Sequence, residues 1–314
     1  MANTYGKVSG TFEEIENAYG KVSGTWEEAE EIYGKVSGVW KLVFSAFEAT
    51  SFVTVSSGSG TFTVPAQANA IHIQAAVGGG GGAMIGAAYD QAGGESAGAG
   101  GGSGAFISDK IFSVTQGETI SYAVGGGGAA QNSQSNKFNG SASAGSSSTL
   151  SASSSGSIFI LAAGGGASAT TGSPLRNNIA GTAGSATING TAITSGTFRN
   201  SSGATINVTS LNGGPVGTFN QSGNGAVGDN NGNCGGDNCR IGGSDGAKSY
   251  SGNINGGAGG SSSGTGTAGG AGTKGSGGGG GAAQVSLAGA GTFYETNGGV
   301  GGNGEIQYRF LRVS

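Results

Sequence analysis

Glycine occupies every third position from 257 to 281 with one exception, Ser263, and Gly298, Gly301 and Gly304 keep the same spacing. A period of three is that of the polyproline-II helix, an extended conformation with no hydrogen bonds of its own. Its N–H and C=O groups need partners outside the segment, and glycine lets neighbouring segments come close enough to supply them. The spacing predicts a bundle of extended glycine helices held by bonds between segments, with the 257–281 run divided into two or three shorter pieces. The competing reading is a flexible Gly/Ser linker. Against it, glycine blocks at 78–82, 98–104, 125–128 and 164–166 alternate with strand-like runs to the end of the chain, and no second globular domain is there to be joined.

Composition narrows the choice further. Glycine supplies 73 of 314 residues, while Leu, Ile, Val and Phe together supply 54, below the ~20% share of ordinary cores. Charged residues make up 10% of the chain and the formal net charge is −4, whereas disorder usually comes with strong net charge. A large α/β enzyme core is excluded on these grounds. So is nucleic-acid binding, because 13 Lys and Arg are diluted among 17 acids with no basic run. Three prolines exclude collagen. The first residues contain no apolar h-region, so no cleaved leader is expected, and no apolar run is long enough for a membrane helix.

The chain changes character near residue 50. Residues 1–50 hold 8 of the 17 acids and both tryptophans. They contain a 14-residue repeat, in which Tyr5-Gly-Lys-Val-Ser-Gly-Thr-Phe12 recurs from Tyr19 to Trp26 and from Tyr33 to Trp40. Lys-Val-Ser-Gly-Thr-Trp reads as a hairpin with a two-residue Ser-Gly turn. A helical reading competes, since Thr11-x-x-Glu14 and Thr25-x-x-Glu28 match a capping box. We favour the β reading, because Val, Tyr, Trp and the Ser-Gly turns dominate what the copies share. Tyr5, Phe12, Tyr19, Trp26, Tyr33 and Trp40 then form the repeat's own core, an attachment or oligomer interface, or both.

Residues 51–314 form the second part. Short apolar alternation in Phe52–Val55, Thr61–Val64, Ile71–Val77, Ala105–Ile107, Ile111–Val114 and Thr119–Val124 predicts a small antiparallel β-domain over about 50–124. The run from Glu305 to Leu311 offers a strand to close its sheet. The fold class expected is therefore mainly β: short N-terminal repeats, then a small antiparallel domain merged with a bundle of polyproline-II glycine helices.

Candidate chemistry is sparse. His72, the one histidine, sits in an alternating strand with Gln74 on its side, which reads as a solvent-side or structural residue rather than a general base. No Ser-His-Asp set can be assembled without it. Scattered carboxylates argue against a glycosidase pair. No Gly-Lys-Ser/Thr follows a glycine run, so the nucleotide-loop reading fails. Asp229-Asn-Asn-Gly and Asp237-Asn fit no calcium loop. No catalytic residue, cofactor or metal is expected. Cys234 and Cys239 are either a local disulfide or a pair of free thiols.

Binding residues are better supplied. Aromatics beside charges or amides interrupt the glycine blocks at Tyr89-Asp90, Lys137-Phe138, Phe198-Arg199, Phe219-Asn220, Tyr250 and Tyr294. Rigid scaffolds display such residues on recognition loops, although part of the set is expected to tuck into the core.

Thr61-Phe-Thr-Val-Pro-Ala66 followed by Ile71-His-Ile-Gln-Ala-Ala-Val-Gly-Gly-Gly-Gly-Gly82 resembles the strand-then-glycine opening of glycine-rich domains in phage tail-fibre and tail-tip proteins. Ser121-Tyr-Ala-Val-Gly-Gly-Gly-Gly128 and the segment from Gly298 to Tyr308 fit the same pattern, and the Tyr-Gly-Lys-Val-Ser-Gly repeats are similar to short repeats that precede such domains. Glycine motifs alternating with variable loops also resemble the receptor-binding adhesins of T-even-type phages. The resemblance implies a virion protein released by host lysis, with residues 1–50 anchored to other tail proteins and 51–314 contacting a bacterial surface receptor, either polysaccharide or outer-membrane protein. A homo-oligomer is expected, without nucleic acid or membrane insertion. The alternatives are a structural tail or filament subunit and, more remotely, an ice-binding protein.

Overall fold

The computed structural model describes residues 5–8, 11–14, 19–22, 25–28, 31–45, 47–84, 87–88, 95–96, 98–131, 140–170, 177–210, 238–241, 258, 268–278, 283–286 and 292–314. Within them the chain is mainly β, with one short 3-10 turn at Val208–Ser210 and every strand ladder antiparallel.

Three two-stranded hairpins come first: β1 (Tyr5–Val8) with β2 (Thr11–Glu14), β3 (Tyr19–Val22) with β4 (Thr25–Glu28), and β5 (Glu31–Val36) with β6 (Val39–Ser45). The capping-box stretches from Thr11 and Thr25 are thus strands. Lys7 faces Phe12, Lys21 faces Trp26 and Lys35 faces Trp40. In the third hairpin Ser37 and Gly38 both have positive φ, 51° and 85°, the backbone a two-residue turn needs to match strand twist.

Two sheets follow. One holds β7 (Val53–Val55), β9 (Ala70–Val77), β12 (Phe106–Ser113) and β25 (Glu305–Leu311), in the order β12-β9-β25-β7. The other holds β8 (Ser59–Thr63), β13 (Thr119–Ala123), β15 (Ser148–Ala152), β16 (Gly156–Leu161) and β19 (Ala186–Ile188), in the order β19-β16-β15-β13-β8. Their facing residues make one buried cluster: Ile71, Ile73, Ile107, Phe112, Ile306 and Phe310 from the first sheet, Ile120, Leu150, Phe159 and Leu161 from the second. Phe62 stacks on Tyr308 at 4.4 Å between ring centroids, tying the sheets together. The terminal run does close the first sheet. The β unit is not confined to 50–124, however, because β15, β16 and β19 complete the second sheet.

The first sheet is covered on its other face as well. There Ala70, Ile111 and Leu311 pack with Ala49, Phe198, Val208 and Val313, brought in by residues 47–50 and by the hairpin β20 (Thr197–Arg199) with β21 (Thr205–Asn207). Ile107 and Phe112 share the inner face although five residues apart. Asp109, at φ +47°, lies between them where the alternation changes phase.

Strands β9, β13 and β16 lead into glycine-rich segments, and β12, β15, β19 and β25 follow such segments. Residues 78–84 continue β9 and are buried throughout. Their successive N–H groups donate to the carbonyls of Ala105, Ser146, Gly302, Gly102, Ser143, Gly299 and Ala99, so three neighbouring segments are addressed in rotation, each again after three residues. Their carbonyls from Gly79 to Ala83 accept from Gly164, Gly128, Gly278, Ala167 and Gln131. Six segments therefore surround the central one: 98–105, 162–167, 142–146, 125–131, 297–304 and 275–278. The bonds Gly102 to Gly165, Gly145 to Gly164, Ser143 to Ala129, Gly301 to Gly128, Gly302 to Ser276 and Gly101 to Gly278 join each neighbour to the next and close the ring. Registers rise together or oppositely in alternation around it, so adjacent ring members run in opposite directions. Segment 181–185 adds outside on 98–105 and 162–167, and 269–272 adds on 297–304.

A side chain has no room between these backbones: a Cβ on Gly80 would overlap the Ser276 carbonyl, and one on Gly81 the Gly165 carbonyl. The described part of the 257–281 run is broken at Lys274–Gly275, whose φ values of 43° and 74° reverse the chain before 275–278. Peptide groups bonded between segments here do work that apolar side chains do in a richer core.

Candidate functional site

The molecule has two ends, set by chain direction. At one end lie the starts of β9 and the finish of β25, with residues 47–50 attached through Ala49 N–H to the Arg199 carbonyl and Thr50 N–H to the Phe310 carbonyl. The third hairpin meets this end, where Arg312 donates to the Tyr33 hydroxyl at 3.2 Å. At the other end, segments 78–84, 125–131, 162–167 and 275–278 finish, and segments 98–105, 142–146 and 297–304 begin.

Beyond that far end are short strands carried by the connections. They are β10 (Ala87–Ala88) paired with β11 (Glu95–Ser96); β14 (Gly140–Ser141), β17 (Ser168–Thr170) and β18 (Asn177–Ile179) in the order β14-β17-β18; and β22 (Asn238–Ile241), β23 (Ala283–Ser286) and β24 (Thr292–Glu295) in chain order. The β10–β11 pair lies against all three strands of β22–β23–β24.

The sequence candidates divide between the two ends. Tyr294 is on β24, opposite Gln284. Cys239 is on β22, opposite Val285. Tyr89, Asp90, Lys137, Phe138, Phe219, Asn220, Tyr250 and Cys234 lie outside the described residues. Phe198 and Arg199 are not on an exposed loop. They belong to β20 at the near end, where Phe198 is 3% exposed in the second apolar cluster and Arg199 Nη2 lies 3.9 Å from Glu48 Oε1. Phe198 is the one large apolar residue of this short strand, and it packs on the outer face of the first sheet with Ile111 and Leu311.

In the repeats, Tyr5, Phe12, Tyr19 and Trp26 sit on β1, β2, β3 and β4. Trp40 is 67% exposed, Val39 61% and Tyr33 48%, so the third hairpin carries uncovered apolar surface.

His72 departs from the solvent-side half of the expectation: it is 2% exposed, because the first sheet is covered on both faces. Arg309 Nε–H donates to its Nδ1 at 3.2 Å, which leaves Nε2–H to donate to Asp109 Oδ1 at 3.3 Å and fixes the neutral tautomer. Phe52 meets the imidazole edge-on at 5.5 Å, and the Arg309 guanidinium lies 4.4 Å from the centre of the same Phe52 ring. Burial, then the Arg309 charge, lowers His72 to about 4, against an upward pull from Asp109. Burial likewise lowers Arg309 and raises Tyr308. Both imidazole nitrogens are committed within the fold, so the constellation binds Phe52 and β25 to β9 and offers no free base.

Sequence reasoning did not pair Asp109 and Arg309 with His72; the only available signal was that all three charged or polar groups interrupt apolar alternation. Among the described residues no group of three or more His, Cys, Asp or Glu is placed to hold a metal, and no helix is long and apolar enough to cross a membrane. No curated protein matches the chain. The family model described as a glycine-rich domain matches residues 54–311, a span that takes in both sheets and the ring of glycine segments, and the chain belongs to that family.

Proposed function

We propose that the protein is a phage tail-fibre or tail-tip adhesin, anchored to other tail proteins through residues 1–50 and binding a bacterial surface receptor with the far end of the glycine scaffold. The observation that carries this reading is the polarity of the fold. Residues 47–50 and the third hairpin join at one end, while connections between glycine segments leave from the opposite end. Attachment and recognition are then separated by the length of the bundle. The rotation of N–H groups among three neighbours supports polyproline-II helices of three residues per turn for the glycine segments. A scaffold bonded in every direction presents its loops at little entropic cost, which favours binding. The location in this reading is the virion, and the chain acts without catalysis or cofactor.

The test is binding of fluorescent full-length protein to a panel of host bacteria. Saturable binding that blocks phage adsorption supports the adhesin; a folded protein that binds no strain refutes it. Exposed Trp40, Val39 and Tyr33 favour a second reading, a structural tail or filament subunit that assembles through its hairpins and has no affinity for cells.

A further inference from the structure

Residues 47–52 join the third hairpin to the sheets without a strand ladder of their own, apart from a single bridge between Glu48 and Arg199. Ala49 N–H donates to the Arg199 carbonyl at 2.8 Å and Thr50 N–H to the Phe310 carbonyl at 3.1 Å, while Thr50 Oγ1 accepts from Phe310 N–H at 2.9 Å. Phe52 closes the joint, with its ring edge-on to the His72 imidazole and the Arg309 guanidinium 4.4 Å from its centre. The same guanidinium lies 5.3 Å from the centre of the Phe198 ring on β20. Arg309 therefore bridges both elements that cover the outer face of the first sheet.

One imidazole atom governs where Arg309 sits. Its Nε–H donates to His72 Nδ1 at 3.2 Å, which requires a lone pair on that nitrogen. A proton taken from solvent onto Nδ1 replaces the lone pair by an N–H that faces a donor, and adds a positive charge beside the guanidinium. Asp109 on β12 offsets part of that charge, but its Oδ1 is engaged at Nε2, 3.3 Å away, and cannot restore the lost bond. The covering elements bring one further charged pair, Glu48 with Arg199 at 3.9 Å.

We propose that this cluster is an acid-released joint: protonation of His72 displaces the Arg309 guanidinium from the Phe52 and Phe198 rings, and residues 47–52 detach from sheets that remain folded. The link between the hairpins and the glycine-rich body then slackens. The ladders that β9 makes with β12 and β25, and the inner core beneath them, do not use the His72 side chain, so the opening is local. Burial first, and then Arg309, lowers His72 to about 4; the closed form is therefore fully favoured above 6.5 and loses stability as pH falls from there toward 4.

Full-length protein is followed by NMR from neutral pH into acid, where His72 gives the one imidazole signal. Exchange of the Ala49 and Thr50 amides, corrected for intrinsic rate, should quicken about tenfold per pH unit below 6.5, because opening takes up one proton. The Leu150 and Phe159 amides of the second sheet should stay protected. His72→Gln keeps an acceptor toward Arg309 but takes no proton, and should hold Ala49 and Thr50 protected in acid. Protonation of His72 with both amides still protected overturns the proposal, as does equal acid sensitivity in the folded Gln variant. Loss of Leu150 and Phe159 protection at the same pH overturns it too, since acid then unfolds the whole body. If the variant does not fold, the wild-type titration decides alone.

Discussion

Replacing Gly81 by alanine inserts one methyl group into the centre of the ring, and the structure fixes what it meets. The new Cβ would overlap the carbonyl group of Gly165, a backbone atom that cannot rotate away. Gly165 can retreat only by stretching the bond its carbonyl accepts from Gly102 N–H at 3.0 Å and the bond its own N–H donates to Thr182 at 2.7 Å. Gly81 itself is held through N–H to Gly102 and through its carbonyl to Gly278 N–H, so it cannot yield instead. Losing two or three such bonds, each worth about 0.5–1.5 kcal/mol net, gives a destabilisation of roughly 1–4 kcal/mol. That is a large part of a typical total of about 5–15 kcal/mol.

Gly126→Ala is the matched control. Gly126 is exposed, and a Cβ there meets nothing closer than Ser146 Oγ at 3.7 Å. Alanine at that site is neutral or stabilising by up to about 1 kcal/mol, through the lowered entropy of the unfolded chain. Urea unfolding of the two variants separates the cases. Equal midpoints for Gly81→Ala and Gly126→Ala would refute the close packing of the ring, since a loose glycine chain treats both methyls alike.

Three further outcomes follow from the same geometry. His72 has a folded-state value near 4 against an ordinary 6.5, so the folded state binds fewer protons between those values and stability falls with acid; the unfolding free energy from urea titration should drop by about 2–3 kcal/mol from pH 7 to pH 4.5, and the slope should flatten in His72→Gln. An unchanged slope in that variant would remove His72 as the cause. Ser148 is buried, accepts from Gly125 N–H at 2.9 Å and donates to the Val77 carbonyl at 2.7 Å where β9 enters the ring; Ser148→Ala should cost about 1–3 kcal/mol in thermal or urea unfolding, and no loss would contradict the bonding. Trp40→Ser should weaken self-association in sedimentation equilibrium if the third hairpin is an oligomer surface, whereas a wild type that stays monomeric at all concentrations would refute that surface.

Much of the architecture was legible because two periods coexist in the chain. Alternation of two marked β9, β12, β13 and β25, and glycine spacing of three marked segments unable to satisfy their own backbone. Less legible was the second sheet beyond residue 124: β15 reads Ser-Thr-Leu-Ser-Ala, with one large apolar residue, and its identity as a core strand comes from pairing with β13 and β16. The ring itself could not be read, since which glycine segment neighbours which is set by contacts far apart in sequence. His72 was misplaced toward solvent for a related reason. Alternation assumes a sheet with one wet face, and here residues 47–50 and β20–β21 cover that face. Phe198 was assigned to an exposed loop because aromatic-plus-charge is a common signature of recognition loops; it is equally the signature of a short strand whose aromatic plugs an apolar gap.

Amide hydrogen exchange across residues 78–84 tests the central claim most directly. Every N–H from Gly78 to Met84 is bonded to a carbonyl of a neighbouring segment and buried, so these amides should exchange as slowly as those of β9, on the time scale of global unfolding. Exchange of the 78–84 amides within seconds, while β9 stays protected, would make the glycine segments linkers and contradict the scaffold on which the whole functional reading stands.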